Sequence, residues 1–486
     1  MKRAAVVLLL AGAAVALLVA VADLSDARHR PRRWLVRGLK ASLGRVLPVA
    51  AAGDTTSAPP AAPPVPAGPD GGFFEPAVST AVRPRMTVAQ IEAMLPARGA
   101  FTFPAPYGTK GIRLTNGSDC GGRDCVQYVG YSYWRRTNNH VGSDTMLILV
   151  VLGRNQGGAG PTLFSYNKTT DAVTRLAPLF SAGDPMSWAA GDQWYFSATD
   201  PHMLYVNDGP MLRRYDVVRR RWSTVFDVST RPDLFGRDRL AWQTHSSQDD
   251  TVHSATLKDR TTSAEVGCLA YQERTRRFAY FPSKGLGYDE CQVDKSGRWL
   301  LIKDKVVPDP QTDVDNRIID LDTGHETVLL DRDGAGGHSD NGFGYMVAAD
   351  NWNPAPGAFR LWKFGQTPLT GTLVYRNVDW TTIAPNHVSH ANARADVPPE
   401  QQYVCGSGAA KEDTPRSNEI FCFRLDGSMR VLVVAPVMTD MDAPGGGPPY
   451  AKLPKGNLDV TGRYFVWTSN MGGPRLDAFV VKVPTP

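Results

Sequence analysis

The sequence predicts an all-β fold, a seven-bladed β-propeller, on three observations. A short phrase is written seven times between Thr162 and Val483: a β-rich run, a polar tip and, in most copies, a second β-rich run. The copies are TLFSYNKTTDAVTRL, MLRRYDVVRRRWSTVF, CLAYQERTRRFAYF, NRIIDLDTGHETVLL, FRLWKFGQTPLTGTLVY, IFCFRLDGSMRVLVV and a terminal DAFVVKV, spaced as propeller blades are. Before and between them stand runs that read as buried strands: MLILVVL (146–152), RWLLIK (298–303) and RYFVWTS (463–469). From Phe101 onward there is almost no helical period, only β-branched and aromatic runs punctuated by Gly, Asp, Asn and Pro.

Residues 1–22 read as a signal peptide or membrane anchor: Lys2 and Arg3 precede an apolar run over 4–22, and Ala20-Val21-Ala22 is a small-residue cleavage site. The run has 19 residues, a length that serves an anchor equally well. Residues 23–50 read as a basic amphipathic segment. Leu35, Leu39, Leu43, Val46 and Leu47 share one helical face and Arg33, Arg37 and Lys40 lie elsewhere, which suits an anionic membrane surface or a solvated helix. Residues 51–86 read as a flexible linker, because the Pro/Ala/Gly tract cannot bury enough apolar surface to fold. Residues 87–100 hold one short helix, with Thr87 as N-cap and Gln90 three residues on, stopped by Pro96 and Gly99. Residues 101–486 are the propeller. After Lys455 there is room for about three strands, so the last blade needs a strand from the N-terminal side, GIRLTN or CVQYVGY. Such closure removes edges that invite aggregation.

A net charge of +5, much of it near the N-terminus, does not mark a nucleic-acid binder. A monomer is expected. The six cysteines form plausible pairs: Cys120 with Cys125, Cys268 with Cys291, and Cys405 with Cys422. An even, pairable set fits an oxidising compartment. The protein is therefore expected to be exported: periplasmic, extracellular, or tethered to the membrane by residues 4–22.

Histidine placement points to a site. Of nine histidines, His140, His245, His253, His338, His387 and His390 all lie in Gly/Asn/Asp/Ser-rich segments between one blade's outer hairpin and the next buried strand. His338 and His387 are 49 residues apart, and Asp289 of GYDECQ lies 49 residues before His338. In a propeller, equivalent segments converge on the axis. His338, His387, His390, His245, Asp289, Glu290 and Asp340 are thus candidate ligands of a divalent metal (Mn, Ca or Zn), and His338 and His387 are candidate bases. The alternative for each histidine is a buried donor to a neighbouring loop. HVSH places His387 and His390 on opposite faces of a strand unless a turn intervenes. Arg136 and Arg394 flank histidine segments and are candidates to hold a substrate carboxylate or phosphate. Tyr131, Tyr133 and Tyr345 are candidates as acid or stacking surface.

The series RWLLIK, NRIIDLDTGHETVLL and GHSDNGFGYMV resembles the TolB-type seven-bladed propellers and, more narrowly, the propeller polysaccharide lyases such as the oligogalacturonate lyases. That resemblance implies axial histidines holding a divalent metal. GHSDNGFGYMVAADNW, carrying His338, matches the repeated His-and-turn element; at DKSGRWLLI the preceding His is replaced by Asp289 and Glu290. The expected function is metal-assisted elimination or hydrolysis of an acidic, uronate-containing glycan. The alternative is a non-catalytic propeller binding a glycan or a protein at the cell envelope.

Overall fold

The computed structural model describes residues 65–66, 68–127, 131–309, 314–350, 355, 357–377 and 387–485. β1 (Val65–Pro66), β2 (Phe73–Pro76), the helix α1 (Val88–Met94), β3 (Gly99–Thr102) and β4 (Lys110–Arg113) come first. Blade one is β5 (Thr145–Leu152), β6 (Gly160–Asn167) and β7 (Val173–Pro178), with Thr137 bridging to Ile148 where other blades carry an axial strand. Blade two is β8 (Tyr195–Phe196), β9 (Met203–Asp208), β10 (Met211–Asp216) and β11 (Arg221–Asp227). Blade three is β12 (Arg239–Ser246), β13 (Val252–Asp259), β14 (Glu265–Gln272) and β15 (Arg277–Pro282). Blade four is β16 (Tyr288–Val293), β17 (Trp299–Asp304), β18 (Asn316–Asp320) and β19 (Glu326–Leu329). Blade five is β20 (Gly336–Asn341), β21 (Tyr345–Asp350), β22 (Phe359–Lys363) and β23 (Gly371–Tyr375). Blade six is β24 (His387–Ser389), β25 (Tyr403–Ser407), β26 (Glu419–Arg424) and β27 (Arg430–Pro436), and β2 and β1 extend its outer edge. Blade seven is β28 (Asn457–Leu458), β29 (Tyr464–Ser469) and β30 (Asp477–Lys482), completed by β4 and β3.

This is the predicted seven-bladed propeller. Middle strands such as β21 are buried along their whole length, because each blade is covered on both faces by its neighbours. The outer hairpins turn on a side chain. In blade two Asp216 Oδ1 accepts the N–H groups of Val218 and Arg219, and in blade four Asp320 Oδ1 accepts that of Asp322.

Closure comes from GIRLTN: Val480 of β30 stands opposite Ile112 of β4, and Val481 opposite Gly111. Gly111 has no side chain because the Phe101 ring lies where one would be, 2.3 Å from an added Cβ. The predicted helix has the predicted cap, a capping box between Thr87 and Gln90. The stretch read as a linker to residue 86 needs correction at its end. Phe73 and Phe74 pair with Val433 and Leu432 on β27, and Glu75 accepts from the buried Arg416 guanidinium at 2.6 Å. The apolar FF dipeptide and the charge of Glu75 give this end what the Pro/Ala tract lacks. The signal or anchor, the basic segment and most of the linker lie outside the described residues. Among the described residues no helix is long and apolar enough to cross a membrane.

All three expected disulfides are formed. Cys268 on β14 and Cys291 on β16 join blade three to blade four.

Candidate functional site

Three axial strands carry irregularities where the candidate residues sit. The register of β12 shifts between Trp242 and His245, that of β16 between Tyr288 and Glu290, and that of β20 between Gly336 and Ser339. A bulge re-aims the side chain it carries. Here the shifts deliver His245, Glu290 and His338 towards one place, and β24 delivers His387 at its first residue.

The result is an aromatic and cationic cluster that adjoins a small cavity. His338 and His387 stack with ring centroids 4.4 Å apart and planes 24° from parallel. Tyr131 lies 5.0 Å from His387 and 5.4 Å from Tyr133, which in turn lies 5.0 Å from His245. The Tyr133 hydroxyl donates to Glu290 Oε2 at 2.7 Å, and Lys303 Nζ donates to Glu290 Oε1 at 2.7 Å. The hydroxyls of Tyr131 and Tyr450 meet in a close hydrogen bond. His338 is exposed, whereas His387 is buried, and neither His387 ring nitrogen has a hydrogen-bond partner. His245 Nε2 is likewise buried without one. Tyr133, Trp134, His245, Gln292, Lys295 and Asn341 line a cavity of about 30 Å³, room for a water or two.

Burial sets the protonation states. It holds His387 well below the ordinary imidazole value, helped by His338, Lys455 and Lys303, and it brings His245 down to about 4. Both rings are neutral at physiological pH. Burial alone pushes the Glu290 carboxyl up, but the Lys303 ammonium overrides it and holds it below the ordinary carboxylate range.

Other predicted residues do different work. His390 accepts from the Tyr345 hydroxyl at Nε2 (2.6 Å), and its Nδ1 lies 3.2 Å from Asn392 Oδ1. Burial keeps the Tyr345 phenol protonated and brings His390 down to about 4, so the chain runs from phenol to imidazole to amide. Asp340 accepts from Lys295 Nζ at 2.9 Å and from the His390 backbone N–H at 2.6 Å. These three fasten blades four, five and six together. His253 lies 2.7 Å from Ser246 Oγ and 2.6 Å from Glu273, and His140 lies 3.0 Å from Asp459. Arg136 is buried and donates to the carbonyls of Gly191 and Asp192. Arg394 has a 63% exposed side chain paired with Asp396, and Asp289 is the exposed bulge residue beside Glu290. The structure does not bring Arg394 to the pocket, and Arg136 directs Nη1 and Nη2 to backbone carbonyls. Neither stands as a carboxylate clamp.

Lys455 joins the pocket without having been predicted. It is 1% exposed and its φ is +39°. Nζ donates to the Tyr450 carbonyl at 2.7 Å and lies 3.8 Å from the Tyr450 ring centroid. Burial brings it down to about 7, against the opposing pull of Asp192. Its signal was positional: it lies in the segment entering the axial strand of blade seven, the place that gives His338 and His387 in other blades.

The donors do not fit a divalent metal. Among the described residues no group of three or more His, Cys, Asp or Glu side chains could hold one. Glu290, Asp340 and His390 are committed to the partners above. The stacked rings of His338 and His387 aim their nitrogens within near-parallel planes instead of at a shared point, and Lys303 and Lys455 add positive charge beside them.

No protein-family model matches the chain, and no curated protein sequence does. Among solved structures it is similar to an oligogalacturonate lyase in complex with manganese, at 13% identity and a TM-score of 0.55, over 84% of this chain and 98% of that one. It is also similar to the oligogalacturonate lyase of Vibrio parahaemolyticus, at 11% identity and a TM-score of 0.54, over 79% and 96% of the two chains. TolB from Acinetobacter baumannii matches at 11% identity and a TM-score of 0.34, over 65% and 64%. At these identities the likeness is one of fold: the chain is a seven-bladed propeller shaped like those lyases over nearly their whole length.

Proposed function

We propose that the axial pocket cleaves an acidic, uronate-containing glycan by β-elimination, using its own side chains. The observation that carries this reading is His387: a neutral imidazole, both nitrogens unbonded, stacked on the solvent-facing His338. In elimination a base removes the proton next to the uronate carboxylate, a carbon–carbon double bond forms, and the glycosidic carbon–oxygen bond breaks with its electrons on the leaving oxygen. The His338–His387 pair accepts the proton. Lys455 in its ammonium form balances the charge gathering on the carboxylate. Tyr131 and Tyr450, whose hydroxyls meet beside the pair, protonate the leaving oxygen. No step runs through a metal. The fold shared with oligogalacturonate lyases supports the substrate class.

The test incubates the purified protein with polygalacturonate and a panel of other uronate polymers and follows the ultraviolet absorbance of unsaturated products. Product formation that survives a chelator, and that falls about 100-fold or more in His387→Ala with unchanged unfolding temperature, is expected. Saturable binding with no product would replace this reading with the glycan-binding one. Activity that requires an added divalent metal would overturn the side-chain mechanism.

A further inference from the structure

Blades two and three differ from the rest at their outer hairpin tips. Arg219, Arg220 and Arg221 crown one, and Arg274, Arg276 and Arg277 the other, all exposed. The tips are neighbours: Arg214, under the first, forms an ion pair with Glu273, at the base of the second. The acids close by are taken. Asp216 pairs with Arg219 at 3.2 Å, Glu273 holds Arg214 and His253, and Asp249 is bonded to Ser247 and Thr251. Among the described residues Arg221, Arg274, Arg276 and Arg277 form no ion pair.

Blades one to four share the same turn, whose fifth residue is left-handed. Blade one places Asp171 there (φ +58°) and blade four Gly324 (φ +74°), residue types that tolerate it. Blades two and three place Arg220 and Arg276 there, both at φ +54°. Met429, which precedes the last strand of blade six as Arg220 and Arg276 precede theirs, holds the same φ of +54°, so the turn admits many residue types and what sets blades two and three apart is the concentration of arginine. The cluster holds six arginines and no lysine, and the guanidinium fork favours bidentate carboxylates.

The face is not that of the axial pocket. In blade four Trp299 pairs with Asp320 beside the hairpin tip, whereas Glu290 pairs with Lys303 at the far end of the same strand. His387 pairs likewise with Ser407, at the end of β25 away from the tip of blade six.

We propose that the arginine tips of blades two and three form a second site that docks an acidic polysaccharide chain through its repeated carboxylates. The polymer class rests on the proposed function; the site itself does not. Three disulfides fit an oxidising compartment and argue against nucleic acid. Val218 is the lone exposed large apolar side chain on these tips, too little to anchor a membrane face.

The test measures retention of the full chain on immobilised polygalacturonate across a salt gradient, with neutral dextran and phosphatidylglycerol vesicles as the other arms. Hydrogen exchange with and without the polymer locates the contact. The expected result is salt-sensitive retention on polygalacturonate alone, protection of the two tips, and about tenfold weaker binding in Arg219→Gln/Arg221→Gln/Arg274→Gln/Arg277→Gln. The double variant Arg220→Gly/Arg276→Gly should also bind more weakly while unfolding at an equal or higher temperature, because glycine relieves the turn. Unchanged binding in both variants, absence of protection at the two tips, or equal tip-dependent binding to vesicles would overturn the proposal; protection at the axial site reports substrate binding there. His387→Ala should retain the polymer as the parent does, so loss of turnover and loss of docking are separately visible.

Discussion

At the scale of single residues, what separates a structural histidine from a functional one here is where its ring nitrogens end. His140, His253 and His390 all terminate on neighbouring side chains, while His387 does not. The buried imidazoles also make stability depend on pH. His253 is brought down to about 3 and His245 and His390 to about 4, burial being the chief cause in each, while unfolded histidine titrates at the ordinary value of 6.5. Between those values the unfolded chain binds protons that the folded one refuses, so stability falls as pH drops from about 6.5 towards 4. Denaturant midpoints measured from pH 8 to pH 4 should fall first towards pH 7, where buried Lys455 takes up its proton, and then steadily below about 6.5 as the histidine contribution is lost. A midpoint that holds constant from there to pH 4 would show these rings to be solvated.

At the scale of elements, the hairpins were legible because turn chemistry and strand composition repeat in order. The bulges were not, since a register shift depends on what the neighbouring strand offers. That is why Glu290 was found with Asp289 but could not be told from it. The Cys268–Cys291 bridge makes an element-scale prediction. It closes 23 residues and ties two blades. Changing both cysteines to serine should lower the unfolding free energy by roughly 3 kcal/mol in chemical denaturation; a change below about 1 kcal/mol would mean that inter-blade packing already supplies the restraint.

At the scale of the whole molecule, the ring is held shut by three residue pairs between β30 and β4. Ile112 is fully buried at the centre of that seam. Ile112→Ala should cost about 2–5 kcal/mol, and Ile112→Pro, which removes a ladder donor in the interior of a sheet, should leave the chain without a cooperative thermal transition. If Ile112→Pro melts like the parent, closure relies on the N-terminal strands of blade six instead.

The sequence by itself determined the all-β class, the seven repeats, the cysteine pairs and the capped helix, and it narrowed the strand that closes the ring to two, between which the structure chose GIRLTN. Each is a local pattern, or a pairing of patterns that only one partner satisfies. Tertiary structure alone decided which histidines meet near the axis, that Arg136 donates to the Gly191 and Asp192 carbonyls, that Arg394 stands apart, and that Lys455 joins His387. Those outcomes depend on which side chains from separate blades meet at the axis, and burial there shifts their charges. No single blade's sequence contains that information.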